Sequence, residues 1–103
     1  MSDFELNSDG DTMEIILGDG LTAAVASEIR EALQKATAQG ARKVEFDLER
    51  TTVIDSTGIG LLIATYNSLA KAGGTVKVVK VSDDIFRLLQ NMRLEKRLLI
   101  SKR

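Results

Sequence analysis

A chain of 103 residues has room for one compact domain, because a core of this size buries roughly 60 to 70% of the unfolded surface. Cysteine and histidine are absent, which excludes disulfides, cysteine nucleophiles, most zinc sites and the commonest general base, so we do not expect an enzyme. The net charge of −1, the low aromatic content and the lack of an apolar run of about 20 residues or a signal-peptide pattern predict a cytoplasmic protein with no nucleic-acid or membrane partner.

The chain is predicted to open with a β-hairpin and an amphipathic helix. Phe4 to Leu6 and Met13 to Leu17 have strand patterns, and Asp9-Gly10-Asp11 between them favours a tight turn. From Thr22, which suits an N-cap, apolar residues recur every four positions until Gly40, a residue typical of helix ends. The apolar stripe of this helix consists of Val25, Ile29, Leu33 and Ala36, and Glu31 and Lys35 form a spaced ion pair on its surface.

Three further strands and two further helices are predicted. Val44, Phe46 and Leu48 alternate with acidic residues, which indicates a strand with one buried face. Val76 to Val81 form a second strand, Ser82 to Asp84 begin the last helix, and Leu98 to Ile100 end the sheet. The apolar face of the middle helix is predicted to be Ile59, Leu62, Ile63, Tyr66 and Leu69, with Ala72-Gly73-Gly74 closing it; that of the last helix is Ile85, Leu88, Leu89 and Met92.

The predicted order is therefore β-β-α-β-α-β-α-β over residues 1–103. Helices that connect successive strands place those strands in parallel, beside one antiparallel hairpin. The fold class is a single α/β domain with a mixed, mostly parallel sheet and three or more α-helices.

The junction from Ile54 to Gly60 concentrates polar groups where the carboxyl end of a strand meets a helix, a place where ligands and partners collect. Two interpretations remain open from the residues alone. Asp55, Ser56 or Thr57 could serve only as the N-cap, with the glycines allowing close packing. Alternatively, the hydroxyl and carboxylate groups could serve a function.

The chemical alternatives at this junction are weak. Gly58-Ile59-Gly60 lacks the third glycine of a dinucleotide loop, and no Gly-Lys-Ser/Thr follows. Catalysis by Ser56 would need a base other than histidine. A Mg²⁺ site built from Asp19, Asp47 and Asp55 has no recognisable spacing. We therefore predict no cofactor and no metal site.

Three segments carry a resemblance to a known family. Gly20 to Ala24, Val53 to Gly60 and Arg93 to Lys96 resemble bacterial anti-sigma factor antagonists, the STAS family, over nearly the whole chain. The central Asp-Ser-Ser/Thr-Gly element, placed after a strand and before a helix, is the most specific of the three. Thr22 stands where the family often has aspartate. The resemblance implies a STAS-like fold and a phosphorylated serine at Ser56.

The resemblance also implies a mechanism. The antagonist would bind an anti-sigma factor with serine kinase activity while Ser56 is unphosphorylated, which releases sigma factor. Phosphorylation would end this binding, and a metal-dependent serine phosphatase would restore it. The residues expected to face the partner are Thr22, Asp55, Ser56, Thr57, Gly58, Gly60, Ala64 and Asn67.

Two other functions of STAS-like proteins stay open at this point. The chain could be a constitutive scaffold or subunit of a stressosome-like or lipid-transport assembly, in which Ser56 only caps a helix. It could also be a small nucleotide-binding module.

Overall fold

The computed structural model describes residues 3–103 and contains one α/β domain. Its strands are β1 (Phe4–Asp9), β2 (Thr12–Leu17), β3 (Gly20–Leu21), β4 (Lys43–Asp47), β5 (Val53–Ile54), β6 (Thr75–Val81) and β7 (Leu99–Lys102). Its helices are α1 (Ala23–Ala38), α2 (Ser56–Lys71) and α3 (Asp83–Asn91), with a 3-10 turn at Leu94–Lys96. The predicted order of elements is confirmed, with two additional two-residue strands.

The sheet is mixed, as the sequence predicted. β1 pairs antiparallel with β2, and Gly10 between them adopts a φ of +63°, which glycine tolerates without strain. The other strands of this sheet run parallel in the order β2-β4-β6-β7. β3 and β5, which the sequence did not predict, form a separate parallel pair.

The core lies between one face of the sheet and the three helices. Right-handed crossovers between successive parallel strands place α1, α2 and α3 on the same face. The side chains that fill this layer include Ile15, Val44, Phe46, Val78, Ile29, Leu62, Leu69 and Leu89, each at most 1% exposed. None of the helices within residues 3–103 has the length and apolarity of a membrane span.

The predicted helix faces need two corrections. On α3, Leu88 is 37% and Met92 45% exposed, so they do not belong to the core as predicted. Helix α3 covers the edge of the sheet, and only the side that carries Ile85 and Leu89 is buried. On α2, Ile63 and Tyr66 pack against the core but are only partly buried, while Leu61, absent from the predicted stripe, is 1% exposed.

Asp47 on β4 also departs from the alternation of buried and exposed residues that was predicted for this strand. It lies on the face opposite Phe46, yet only 6% of it is exposed. Its carboxylate accepts the Glu49 N–H at 3.0 Å and lies 3.4 Å from Lys80 Nζ. Lys80 has a φ of +59° at an irregularity in the β6–β7 pairing. The ion pair with Asp47 raises the pKa of Lys80.

Candidate functional site

Ser56 is the first residue of α2 and is exposed. The chain reaches it from β4 through a short loop and the two-residue strand β5. That loop is fixed by hydrogen bonds to the segment before β3: Thr51 Oγ1 donates to the Gly18 carbonyl at 2.8 Å, and the Thr52 N–H to the Asp19 carbonyl at 2.8 Å. The serine hydroxyl therefore stands on a well-anchored segment at the surface.

Asp55 caps two helices at once. Its Oδ1 accepts the Gly58 N–H at 2.9 Å, which makes Asp55 the N-cap of α2. Its Oδ2 accepts the Ala23 N–H, at the first residue of α1, at 3.1 Å. Thr22 holds the N-cap position of α1 but forms no side-chain cap hydrogen bond. The sequence predicted a local cap for α1, whereas the structure supplies it from a residue 32 positions away.

The electrostatics of this carboxylate follow from its donors. The N–H groups of Gly58 and then of Ala23 hold the pKa of Asp55 below its ordinary value of 3.8, and desolvation opposes them. Neither α1 nor α2 has an acidic residue in its first turn. Asp55 thus provides a negative charge that interacts favourably with the dipoles of both helices at their N-termini.

Gly58 allows the two junctions to approach each other. A Cβ at this position would overlap the Leu21 carbonyl oxygen, with the carbonyl carbon and Cγ of Leu21 at 3.0 Å. The Asp55 N–H donates to the same carbonyl oxygen at 3.3 Å. The sequence placed Gly58 among the partner-facing residues, but the structure buries it, so it shapes the site from within.

The remaining candidate residues lie at the start of α1 and along α2. Thr57 is exposed beside Ser56, and Gly60 and Asn67 are exposed on the same side of α2. Ala64 is only partly buried and lies between that side and a groove against α1 that Arg30 and Gln34 also line. Thr22 is partly buried, and its neighbour Ala23 bonds to Asp55. The structure therefore places Thr57 and Gly60 near Ser56, whereas Ala64 and Asn67 lie about two and about three turns further along α2.

Val53 is a residue of this region that the sequence reasoning missed. It lies on β5, two residues before Asp55, and 55% of it is exposed. A strand of two residues has no periodicity from which the exposure of Val53 could be predicted. The only signal in the sequence is the position of Val53 just before the junction. Val53 places an exposed apolar side chain three residues before Ser56.

Two of the three acidic residues that were considered as Mg²⁺ ligands make other interactions. Asp47 pairs with Lys80, and Asp55 binds helix N–H groups. Within residues 3–103, no group of three or more acidic, histidine or cysteine side chains lies close enough to hold a metal ion.

The fold and the site together define a small α/β domain with an exposed serine at a capped strand-to-helix junction. The family model described as the STAS domain matches residues 4–103, so the chain belongs to the STAS domain family. The resemblance predicted from the sequence is thereby confirmed.

Particular relatives have names that concern sigma-factor control. An anti-sigma-B factor antagonist of Staphylococcus aureus is 31% identical over 77 residues, which cover 75% of this chain and 71% of that protein. The anti-sigma factor antagonist SpoIIAA in its unphosphorylated form is 26% identical, with a TM-score of 0.76 over 84% of this chain and 81% of that one. The phosphorylated form of SpoIIAA, a Bacillus cell fate determinant, has the same fold, with a TM-score of 0.79 at 24% identity, 94% coverage of this chain and 89% of that one.

Proposed function

We propose that the chain is an anti-sigma factor antagonist controlled by phosphorylation of Ser56. With a free hydroxyl it binds an anti-sigma factor that has serine kinase activity, and sigma factor is released. The observation that carries this proposal is the exposed Ser56 at the first position of α2, on a segment anchored by Asp55. The names of the Staphylococcus aureus relative and of SpoIIAA support the partner class.

The chemistry requires nothing of this chain beyond an accessible hydroxyl. The Ser56 oxygen attacks the γ-phosphorus of the kinase's ATP, the bond to the bridging oxygen breaks, ADP leaves, and a base of the kinase takes the hydroxyl proton. In the reverse direction a metal-dependent serine phosphatase directs water at the phosphorus. Inorganic phosphate leaves, and the Ser56 oxygen regains a proton. ATP and metal ions belong to the partners, and the antagonist itself is not an enzyme.

The site suits a switch because the fold and the partner respond oppositely to the added charge. Phosphate adds about −1.5 to −2 charges, and a helix N-terminus favours negative charge through its free N–H groups and dipole. The fold is therefore expected to tolerate the modification. A partner surface that fits a neutral hydroxyl beside Val53, Thr57 and Gly60 would instead meet an uncompensated charge.

Capture from the native cell tests this proposal. Tagged wild-type chain and the variants Ser56→Ala, Ser56→Asp and Thr57→Ala are purified with their bound proteins, and phosphorylation is mapped by mass spectrometry. Ser56→Ala should retain a kinase-like partner without becoming phosphorylated, Ser56→Asp should lose it, and Thr57→Ala should still be phosphorylated at position 56. Equal capture by Ser56→Asp, with unmodified Ser56 in the wild type, would favour a constitutive scaffold instead.

A further inference from the structure

The N-termini of α1 and α2 meet at a single carboxylate. The Ala23 N–H and the Gly58 N–H both donate to Asp55, at 3.1 and 2.9 Å, one to each oxygen. The two donors belong to different helices, and Thr22 provides no competing side-chain cap. Whatever changes the charge balance at Asp55 therefore acts on both helices.

The surrounding backbone makes this a connection between two segments. β3 pairs with β5 through Gly20 opposite Val53 and Leu21 opposite Ile54. Gly58 packs so closely on the Leu21 carbonyl that a methyl group would not fit. The segment that enters α1 and the segment that enters α2 are thus held side by side, with the Asp55 carboxylate at the point where both helices begin.

We infer that Asp55 is a positioning residue that transmits the phosphorylation state of Ser56 to the start of α1, residues Thr22 to Ala24. This inference rests on the proposed modification of Ser56. A phosphate on the neighbouring residue repels the Asp55 carboxylate. The bond from Ala23 is the one that weakens, because it joins residues 32 positions apart, whereas the Gly58 bond lies within the local turn of α2.

The consequence is a second readout of phosphorylation. The partner would meet new charge at Ser56 and also a loosened segment at Thr22, Ala23 and Ala24. Ala23 and Ala24 are exposed, so a change in their backbone is available to a partner. Asp55 would then serve binding by holding this surface in place.

The experiment uses the isolated full chain, without any partner. Amide hydrogen exchange and chemical shifts are measured by NMR for unmodified protein and for protein with phosphoserine incorporated at position 56 during translation. The variant Asp55→Ser is measured in both forms, because serine keeps an N-cap on α2 but is too short to reach Ala23. Asp84→Asn is the matched control: it removes one acid from the first turn of α3, where Asp84 pairs with Arg87 on the surface.

We expect phosphorylation to accelerate exchange of the Ala23 amide by about five- to tenfold, as loss of one hydrogen bond would. Asp55→Ser should produce the same acceleration without phosphate, and phosphorylation should add little to it. Asp84→Asn should leave the Ala23 amide unchanged. If Asp55→Ser does not fold, Asp55→Asn, which keeps the side-chain size, replaces it with the same expectation.

An Ala23 amide that is insensitive to phosphoserine at position 56, or that responds equally with and without Asp55, overturns the inference. Either result leaves the proposed function standing, because phosphate could still repel a partner directly. Conversely, failure to find any kinase for Ser56 would contradict the proposed function but would not change the exchange rate of the Ala23 amide.

Discussion

A methyl group at Gly58 should damage the junction, whereas the same change two residues later should not. In Gly58→Ala the new Cβ would overlap the Leu21 carbonyl oxygen and lie 3.0 Å from two further Leu21 atoms. That carbonyl cannot turn aside, because it accepts the Asp55 N–H and belongs to the β3–β5 pair. Overpacking of this kind costs about 1 to 3 kcal/mol, and contact with backbone places it near 3.

The net effect includes the better helix propensity of alanine. Replacing glycine by alanine inside a helix contributes about 0.8 to 1 kcal/mol, so Gly58→Ala should lose about 2 kcal/mol of unfolding free energy in total. Gly60→Ala is the matched control, because its Cβ would meet open space. It should gain about 0.8 to 1 kcal/mol.

Urea unfolding followed by circular dichroism measures both variants against the wild type. The two should differ by about 3 kcal/mol, with similar m values. A Gly58→Ala protein within about 0.5 kcal/mol of the wild type would contradict a steric clash at this position, since surface substitutions cost no more than that. It would mean that α2 can move away from β3 without penalty.

Two further predictions concern the core and the capping carboxylate. Leu62 is fully buried in the centre of α2, so Leu62→Ala should lower the free energy of unfolding by about 2 to 5 kcal/mol. A urea midpoint close to that of the wild type would contradict the place of Leu62 in the core. Because the pKa of Asp55 is lowered in the folded state, the stability it contributes is fully present above its unfolded pKa near 3.8 and is lost as pH falls through the lower folded pKa. Thermal melts of wild type and Asp55→Asn between pH 7 and 2.5 should therefore converge in the acid range, and a constant difference over that range would exclude this linkage.

The local features of the fold were predictable because they depend on residues close in sequence. The hairpin at Gly10 and the cap at Ser82, whose Oγ accepts the Ile85 N–H at 3.2 Å, follow from short-range rules. The apolar spacing of α1 likewise predicted three of its buried residues, Val25, Ile29 and Leu33, although not Ala26.

The features that escaped prediction depend on contacts distant in sequence. Nothing near Thr22 indicates that a carboxylate 32 residues away caps α1. The exposure of Leu88 and Met92 depends on how much of the sheet edge α3 covers, which periodicity does not encode. The site residues were found mainly through the Asp55-Ser56-Thr57-Gly58 element, and the burial of Gly58 became visible only when β3 was placed beside it.

The affinity of the captured partner for two forms of the chain decides whether phosphorylation of Ser56 ends binding. Unmodified protein and protein with phosphoserine at position 56 are titrated against the purified partner by calorimetry, with thermal melts of each form as the folding control. An uncompensated charge in the interface costs about 2 to 5 kcal/mol, so the dissociation constant should rise by at least about 30-fold while the melting temperature stays equal or increases. Equal affinity of the two folded forms would contradict the account.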